Sequence, residues 1–191
     1  MTEIGFIILG YLIGAIPTGY LFAKYIKGID IRLKGSGNIG ATNVSRILGK
    51  KLGALTLLID AAKSFLWVYL CLLLGFPPFF VAIVAYSLLI GNCYSLFLKG
   101  KGGKGVSTSL GIYLAISPKL FLISILAYLL FWALTRISAV GSLALSLFVP
   151  IFAIREGNPF YLSLFVTMSL LIFLRHRKNI ASLRLKICKN S

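Results

Sequence analysis

Acid is what this sequence has least of: four Asp and Glu stand against twenty Lys and Arg, with a single His, in 191 residues. Four dispersed acids and one imidazole do not furnish the three or four clustered ligands of a usual metal site, so the sequence predicts no metal and no metal-assisted hydrolysis. A Ser-His-Asp triad needs a carboxylate beside His176, and only Asp30 or Asp60 is available to supply it, which sets that chemistry aside. Cysteine is scarce too. Cys71, Cys93 and Cys188 are scattered, odd in number and without CxxC spacing, which argues against a disulfide framework and for reduced bystander thiols. Long linkers, low-complexity tracts and internal repeats are missing, and the only sizeable polar insert is 27–51. The first apolar run lacks a basic start, contains Pro17 and is followed by Lys24 and Lys27, so it is expected to stay in the mature protein instead of being cleaved as a signal.

What the chain does have is apolar mass. Hydrophobic residues make up 59% of it and its mean hydropathy is +0.96, above the roughly half-apolar make-up of soluble domains. Apolar runs fall at 4–26, 52–75, 79–98, 106–116, 119–135, 137–154 and 160–174, separated by Pro, Gly or charge. These runs predict an all-α, polytopic integral membrane helical bundle, one transmembrane domain over 1–191, with about seven transmembrane helices. The run 106–116 is the exception in length: eleven helical residues rise only ~16 Å, against ~20 residues for a full span, so it is short or re-entrant.

The net charge of +16 raises the question of nucleic acid, and its placement answers it. Segments 27–51, 99–105, 136 and 175–191 hold six, three, one and six Lys/Arg, whereas the alternate loops hold only Lys119 and Arg155. Charge that follows topology this way obeys the positive-inside bias, and no nucleic-acid partner is expected. The expected location is the cytoplasmic (inner) membrane, multi-pass, with the N-terminus outside and the C-terminus on the cytoplasmic side.

Two glycine-rich basic segments interrupt the apolar runs: Gly35-Ser36-Gly37-Asn38-Ile39-Gly40-Ala41-Thr42-Asn43 ending at Arg46, and Gly100-Lys101-Gly102-Gly103-Lys104-Gly105. Both fit G-x-G-x-x-G. A dinucleotide reading requires a βαβ setting that membrane helices do not offer, and Val106 after Gly105 breaks a Walker A pattern. Backbone without side chains lets N–H groups converge on an oxyanion while Lys or Arg supplies countercharge. Lys101 and Lys104 stand just before Val106-Ser107-Thr108, where a helix start leaves its N–H groups free, and that combination favours an anion.

A third polar cluster, Arg175-His176-Arg177-Lys178-Asn179-Ile180, begins where the last apolar run ends. If the helix continues, His176 and Asn179 share one face and address one ligand; the plainer reading is a basic tail on the membrane surface. Within the second run Asp60 and Lys63 lie three apart and are expected to pair, more as a bundle contact than as a substrate contact, while Asn92 and Ser142 raise the same question on other helices.

At these three segments the chain resembles the bacterial glycerol-3-phosphate acyltransferases that use acyl phosphate, the PlsY family. The residues that carry the resemblance are Ser36-Gly37-Asn38-Ile39-Gly40-Ala41-Thr42-Asn43 with Arg46, Gly102-Gly103-Lys104-Gly105-Val106-Ser107-Thr108, and Arg175-His176 with Asn179-Ile180. In the third segment the family pattern continues with Arg, Leu, Gly and Glu where this chain has Ser182, Leu183, Lys186 and Cys188. The H-x-x-x-x-D pattern of acyl-CoA-dependent acyltransferases is missing, since Ala181 stands five positions after His176.

The resemblance implies transfer of a fatty acyl group from acyl phosphate to the 1-hydroxyl of glycerol 3-phosphate, giving lysophosphatidic acid and inorganic phosphate, with no cofactor. The partners it implies are those two substrates and membrane lipid; it sets no oligomeric state. Ser36, Arg46 and Lys104 are assigned to holding phosphate and, with His176 and Asn179, form the candidate catalytic set. His176 and Asn179 orient the hydroxyl or polarise the carbonyl. Gly102 and Gly103 present backbone to glycerol 3-phosphate, and Gly37, Asn38, Thr42, Asn43, Gly105, Ser107, Thr108 and Ser142 complete the expected binding residues. An alternative from another class is a small carrier or channel for an anionic phosphorylated solute. Its weakness is that the outward loops carry little charge.

Overall fold

The computed structural model describes residues 2–190, with side-chain surroundings given through residue 183; Lys186 and Cys188 lie outside that range. Ten helices follow in order: α1 (Glu3–Ala15), α2 (Thr18–Lys27), α3 (Ala41–Leu48), α4 (Lys50–Leu73), α5 (Pro78–Cys93), α6 (Val106–Ile116), α7 (Pro118–Thr135), α8 (Ser138–Ala153), α9 (Pro159–Arg175) and α10 (Arg177–Asn190). Short 3₁₀ turns occupy 31–33, 96–98 and 154–156. Three helix starts share one device. Pro78, Pro118 and Pro159 each stand at the first helical position, where the missing N–H costs nothing. Ser117 and Asn158 cap the latter two, accepting from Leu120 N at 3.3 Å and from Phe160 N at 3.1 Å.

The ends of the helices define two faces of the bundle. On one face Phe6 meets Phe76 and Ser117 Oγ donates to Glu156 Oε1 at 2.6 Å. On the other, Tyr11 reaches Tyr94, Thr42 reaches Ser138 and Lys104 reaches Asn179. Four helices are long and apolar enough to cross a membrane, or six if the bent pairs α1–α2 and α9–α10 each count as one span. The shorter apolar helix, α6, has eleven residues, yet it runs from the glycine-rich segment at one face to Ser117 beside Glu156 at the other. Leucines of α4 and α7, such as Leu58, Leu66, Leu126 and Leu130, face outward, as lipid-contacting helices require.

Close backbone approach holds α1 to α5. A Cβ on Gly14 would collide with the Leu88 backbone, and one on Gly91 with the Tyr11 carbonyl. Without a hydrophobic drive between helices in lipid, such small-residue contacts supply the packing. The first apolar run does not form one straight helix. Pro17 has no N–H to donate, so the chain bends by 40° between α1 and α2. The freed carbonyls find donors elsewhere: Lys63 Nζ donates to Gly14 O at 3.3 Å and Ile16 O at 2.8 Å, and Ser95 Oγ to Ala15 O at 2.5 Å. Lys63 also pairs with Asp60 at 2.8 Å, and Thr18 donates to the same carboxylate at 2.7 Å. The expected intramembrane pair exists, and its task is to satisfy the helix break.

A small second core of Ala23, Ile31, Ile39, Val44 and Leu98 seats the 27–49 insert against α2. Gly19 at the start of α2 lies so close to the Ile39 carbonyl that no Cβ fits between them. The first glycine segment therefore rests directly on α2, the second half of the bent first run.

Candidate active site

All three polar segments open onto one cavity of about 530 Å³ at the end of the bundle where α1, α5 and α9 finish. Of the residues expected from sequence, Ser36, Asn38, Thr42, Asn43, Arg46, Gly103, Lys104, Gly105, Ser107, Ser142, His176 and Asn179 line it. Gly37, Gly102 and Thr108 do not. Gly37 sits at φ +71° in the turn, Gly102 packs its Cα against the Asn92 and Cys93 carbonyls, and Thr108 is fully buried in the first turn of α6. Lys101 is exposed outside the cavity, so only Lys104 of that pair faces it.

The first segment is organised by Asn43, which is 2% exposed. Its Oδ1 accepts from Ser36 N at 2.9 Å, and its Nδ2 donates to Lys34 O at 3.0 Å and Asn38 O at 2.8 Å. With its amide engaged this way, Asn43 shapes the loop while also lining the cavity. Asn38 acts similarly through Oδ1, which accepts from Gly40 N at 2.7 Å just before α3. Ser36 and Arg46 are left exposed on the cavity side.

The second segment is gripped from two directions. Asn92 at the end of α5 accepts from Gly103 N through its own carbonyl at 2.8 Å and from Gly105 N through Oδ1 at 3.1 Å. Arg175 donates from Nε to Gly103 O at 3.1 Å and from Nη2 to Gly102 O at 3.0 Å. Gly105 adopts φ +83° with Leu89 against it, a position that only glycine fills without strain. Lys104 emerges between these anchors and donates to Asn179 Oδ1 at 2.5 Å. Burial, followed by the charges of Arg175 and Arg46, holds its ammonium down to about 8.

The third segment departs from the continuous helix that shared-face spacing assumes. α9 ends at Arg175 and α10 leaves at 59°, with His176 at the corner, yet His176 and Asn179 still both reach the cavity. Nδ1 of His176 lies 2.8 Å from Ile172 O. A carbonyl only accepts, so Nδ1 carries the hydrogen and Nε2 keeps a free lone pair. His176 lies just past α9, 2% exposed, and burial pushes its pKa down to about 4. It is a neutral acceptor.

The sequence leaves substrate contact open for Asp60 and Asn92 and gives no signal for Arg136, Ser138 and Tyr128, and all five line the cavity. Ser138 Oγ lies 3.1 Å from Thr42 Oγ1 and 3.0 Å from Tyr128 OH, linking α3 to the α7–α8 corner. From sequence Arg136 is only a topological charge; at the end of α7 it is exposed, with its guanidinium 5.5 Å over Trp132. Ser142, in turn, donates to Ser138 O at 2.9 Å. Arg46, Lys104 and Arg136 thus face a cavity whose one acid, Asp60, is already paired with Lys63. Such a surface favours an anion. Leu57, Leu110, Ile125 and Leu129 extend the wall into the apolar bundle. Among the described residues no three His, Cys, Asp or Glu side chains come together as a metal site.

Comparison with known proteins agrees over almost the whole chain. A family model described as glycerol-3-phosphate acyltransferase matches residues 4–186. Curated relatives of that name include one from Geobacter sulfurreducens, 40% identical over 92% of this chain and 91% of the relative, and one from Syntrophotalea carbinolica, 42% identical over 93% and 91%. Crystal structures of PlsY (YgiH), an integral membrane glycerol 3-phosphate acyltransferase, superpose with TM-scores of 0.92 for the glycerol 3-phosphate form and 0.89 for the lysophosphatidic acid form. Each is 34% identical and covers 96% of this chain and 92% of its own. A multi-pass helical bundle with an anion-seeking cavity, matched in sequence and in fold over this length, belongs to the glycerol-3-phosphate acyltransferase family.

Proposed function

We propose that the donor is an acyl phosphate, so that this glycerol-3-phosphate acyltransferase moves a fatty acyl chain from acyl phosphate to the 1-hydroxyl of glycerol 3-phosphate. The observation that carries the donor is the cavity itself. Arg46, Lys104 and Arg136 surround a space of about 530 Å³ whose apolar wall enters the bundle, a shape for compact phosphates and an alkyl tail. The glycerol 3-phosphate and lysophosphatidic acid forms of the solved relative supply acceptor and product by analogy. A carrier for phosphorylated solutes loses its footing, since the family is one of acyltransferases.

In this reading Lys104 and Arg46 neutralise phosphate, helped by the N–H groups at the start of α6. His176 Nε2 accepts a hydrogen bond from the attacking hydroxyl, and Asn179, tied to Lys104, fixes the ammonium's direction. The hydroxyl oxygen bonds to the acyl carbon, the bond from that carbon to the phosphate oxygen breaks, and the hydroxyl proton ends on the departing phosphate. Phosphate leaves readily, so orientation and charge stabilisation provide most of the acceleration. The site faces the cytoplasm of the inner membrane, in keeping with the basic segments 27–51, 99–105 and 175–191 on that side.

Purified protein given acyl phosphate and glycerol 3-phosphate should release inorganic phosphate only when both are present. Comparable turnover with acyl-CoA free of acyl phosphate would overturn the donor assignment.

A further inference from the structure

We infer that Arg175 is a positioning residue for the reaction proposed above, a clamp that fixes the Gly102–Gly103 backbone so that Lys104 is presented to the cavity. Arg175 is absent from the cavity wall, unlike its neighbour His176. Its guanidinium instead forks onto two consecutive carbonyls, Gly102 O at 3.0 Å and Gly103 O at 3.1 Å, and lies 4.9 Å over the ring of Tyr94. Tyr94 is held in turn, because Tyr11 OH donates to its carbonyl at 2.9 Å. The fork therefore stands beside a residue tied to α1.

Peptide geometry explains what the fork does. In a trans peptide C=O and N–H point in opposite directions. With Gly102 O turned to Arg175, the N–H of Gly103 points away and meets Asn92 O at 2.8 Å. With Gly103 O turned to Arg175, the N–H of Lys104 must likewise point away from the clamp. Asn92 then closes the loop by accepting from Gly105 N at 3.1 Å. Three glycines in four residues give this segment almost no conformational preference of its own, so its shape rests on these contacts. The planar, two-pronged guanidinium is what a lysine at 175 would lack.

A spectator reports on the clamp. Cys93 is fully buried beneath Gly105, close enough that a Cβ there would sit 3.2 Å from its Sγ. Release of the loop uncovers that thiol.

The test uses the full-length protein in detergent, with Arg175→Ala and Arg175→Lys. Steady-state kinetics is read beside maleimide labelling of Cys93, located by peptide mass mapping so that Cys188 does not contribute. Both variants should lose ~10²-fold in kcat/KM, the scale of a small misplacement of a catalytic group, and label faster at Cys93. Millimolar guanidinium should restore part of the Arg175→Ala turnover. Wild-type kinetics in either folded variant overturns the clamp. So does lost activity with Cys93 as protected as in the wild type, which would mean that Arg175 acts on substrate charge. Should Arg175→Ala fail to fold, Arg175→Lys carries both readouts. A wild-type protein inactive with acyl phosphate and glycerol 3-phosphate would sink the functional reading, while Cys93 labelling would still decide the clamp.

Discussion

Lys104 and Asn179, 75 positions apart in the chain, meet at 2.5 Å from Nζ to Oδ1. The contact joins the glycine-rich segment before α6 to the start of α10 after the His176 corner, so the two residues should act as one unit. Lys104→Ala should raise KM for the phosphate substrates and lower kcat where the contact tightens in the transition state, with Arg46→Ala behaving similarly. Asn179→Ala should chiefly lower kcat. In the double variant the losses should be smaller than the product of the single ones, because both remove the same contact. Multiplicative losses, measured by steady-state kinetics of the four proteins, would show that the two act independently.

The depressed pKa of Lys104 gives a pH signature. Its ammonium is lost as pH rises through about 8, so kcat/KM should fall on the alkaline side with a limb near that value. Lys104→Arg should remove the limb, since guanidinium stays charged. Stability runs the other way. The unfolded chain holds this proton up to the ordinary lysine value of 10.5, so between about 8 and 10.5 it binds more protons than the folded chain, and stability rises with pH across that window. Thermal unfolding in detergent at pH 7.5 and 9.5, with Lys104→Met as the control, checks the sign.

His176 should contribute no acidic limb between pH 5 and 7, because burial pushes its pKa down to about 4 and keeps it neutral throughout. His176→Ala should lower kcat by ~10²-fold, a usual size for a positioned acid–base group. His176→Asn retains a donor for Ile172 O without the Nε2 acceptor, so it should fold and remain slow. Full kcat in either variant would return His176 to a purely structural part.

Asp60 and Lys63 satisfy the α1–α2 break, so each depends on the other. Lys63→Ala leaves a buried carboxylate and the carbonyls of Gly14 and Ile16 without their donor, and should cost ~3–5 kcal/mol. Lys63→Ala with Asp60→Asn should recover part of that loss. A double variant no more stable than the single one, by thermal unfolding, would mean that the pair matters less than the carbonyls.

Topology provides a separate check. Cysteines introduced near Lys50 and Lys101 should label only from the cytoplasm, and a tag at the N-terminus only from outside. Labelling of 27–51 and 99–105 from opposite sides would contradict the shared cavity.

Composition and charge placement were enough to read a membrane helical bundle with its basic segments on one face, because the bilayer demands long apolar helices and basic residues resist crossing it. The glycine and basic segments are legible as candidate anion sites for a similar reason: free N–H groups and cations are local properties of a few neighbouring residues. What each residue does in the site was not local. From sequence Asn43 reads as a binding residue; only the fold shows that its amide also ties together Ser36, Lys34 and Asn38. Arg136 looked like a topological charge, but the α7–α8 corner brings it to the cavity. Asn92 and Arg175 acquire their roles only because α5 and α9 end beside the same loop. Periodicity marks which stretches become helices; which helix ends meet is set by close contacts such as Gly14 on Leu88 and by the bends at Pro17 and His176, and those exist only in the packed bundle.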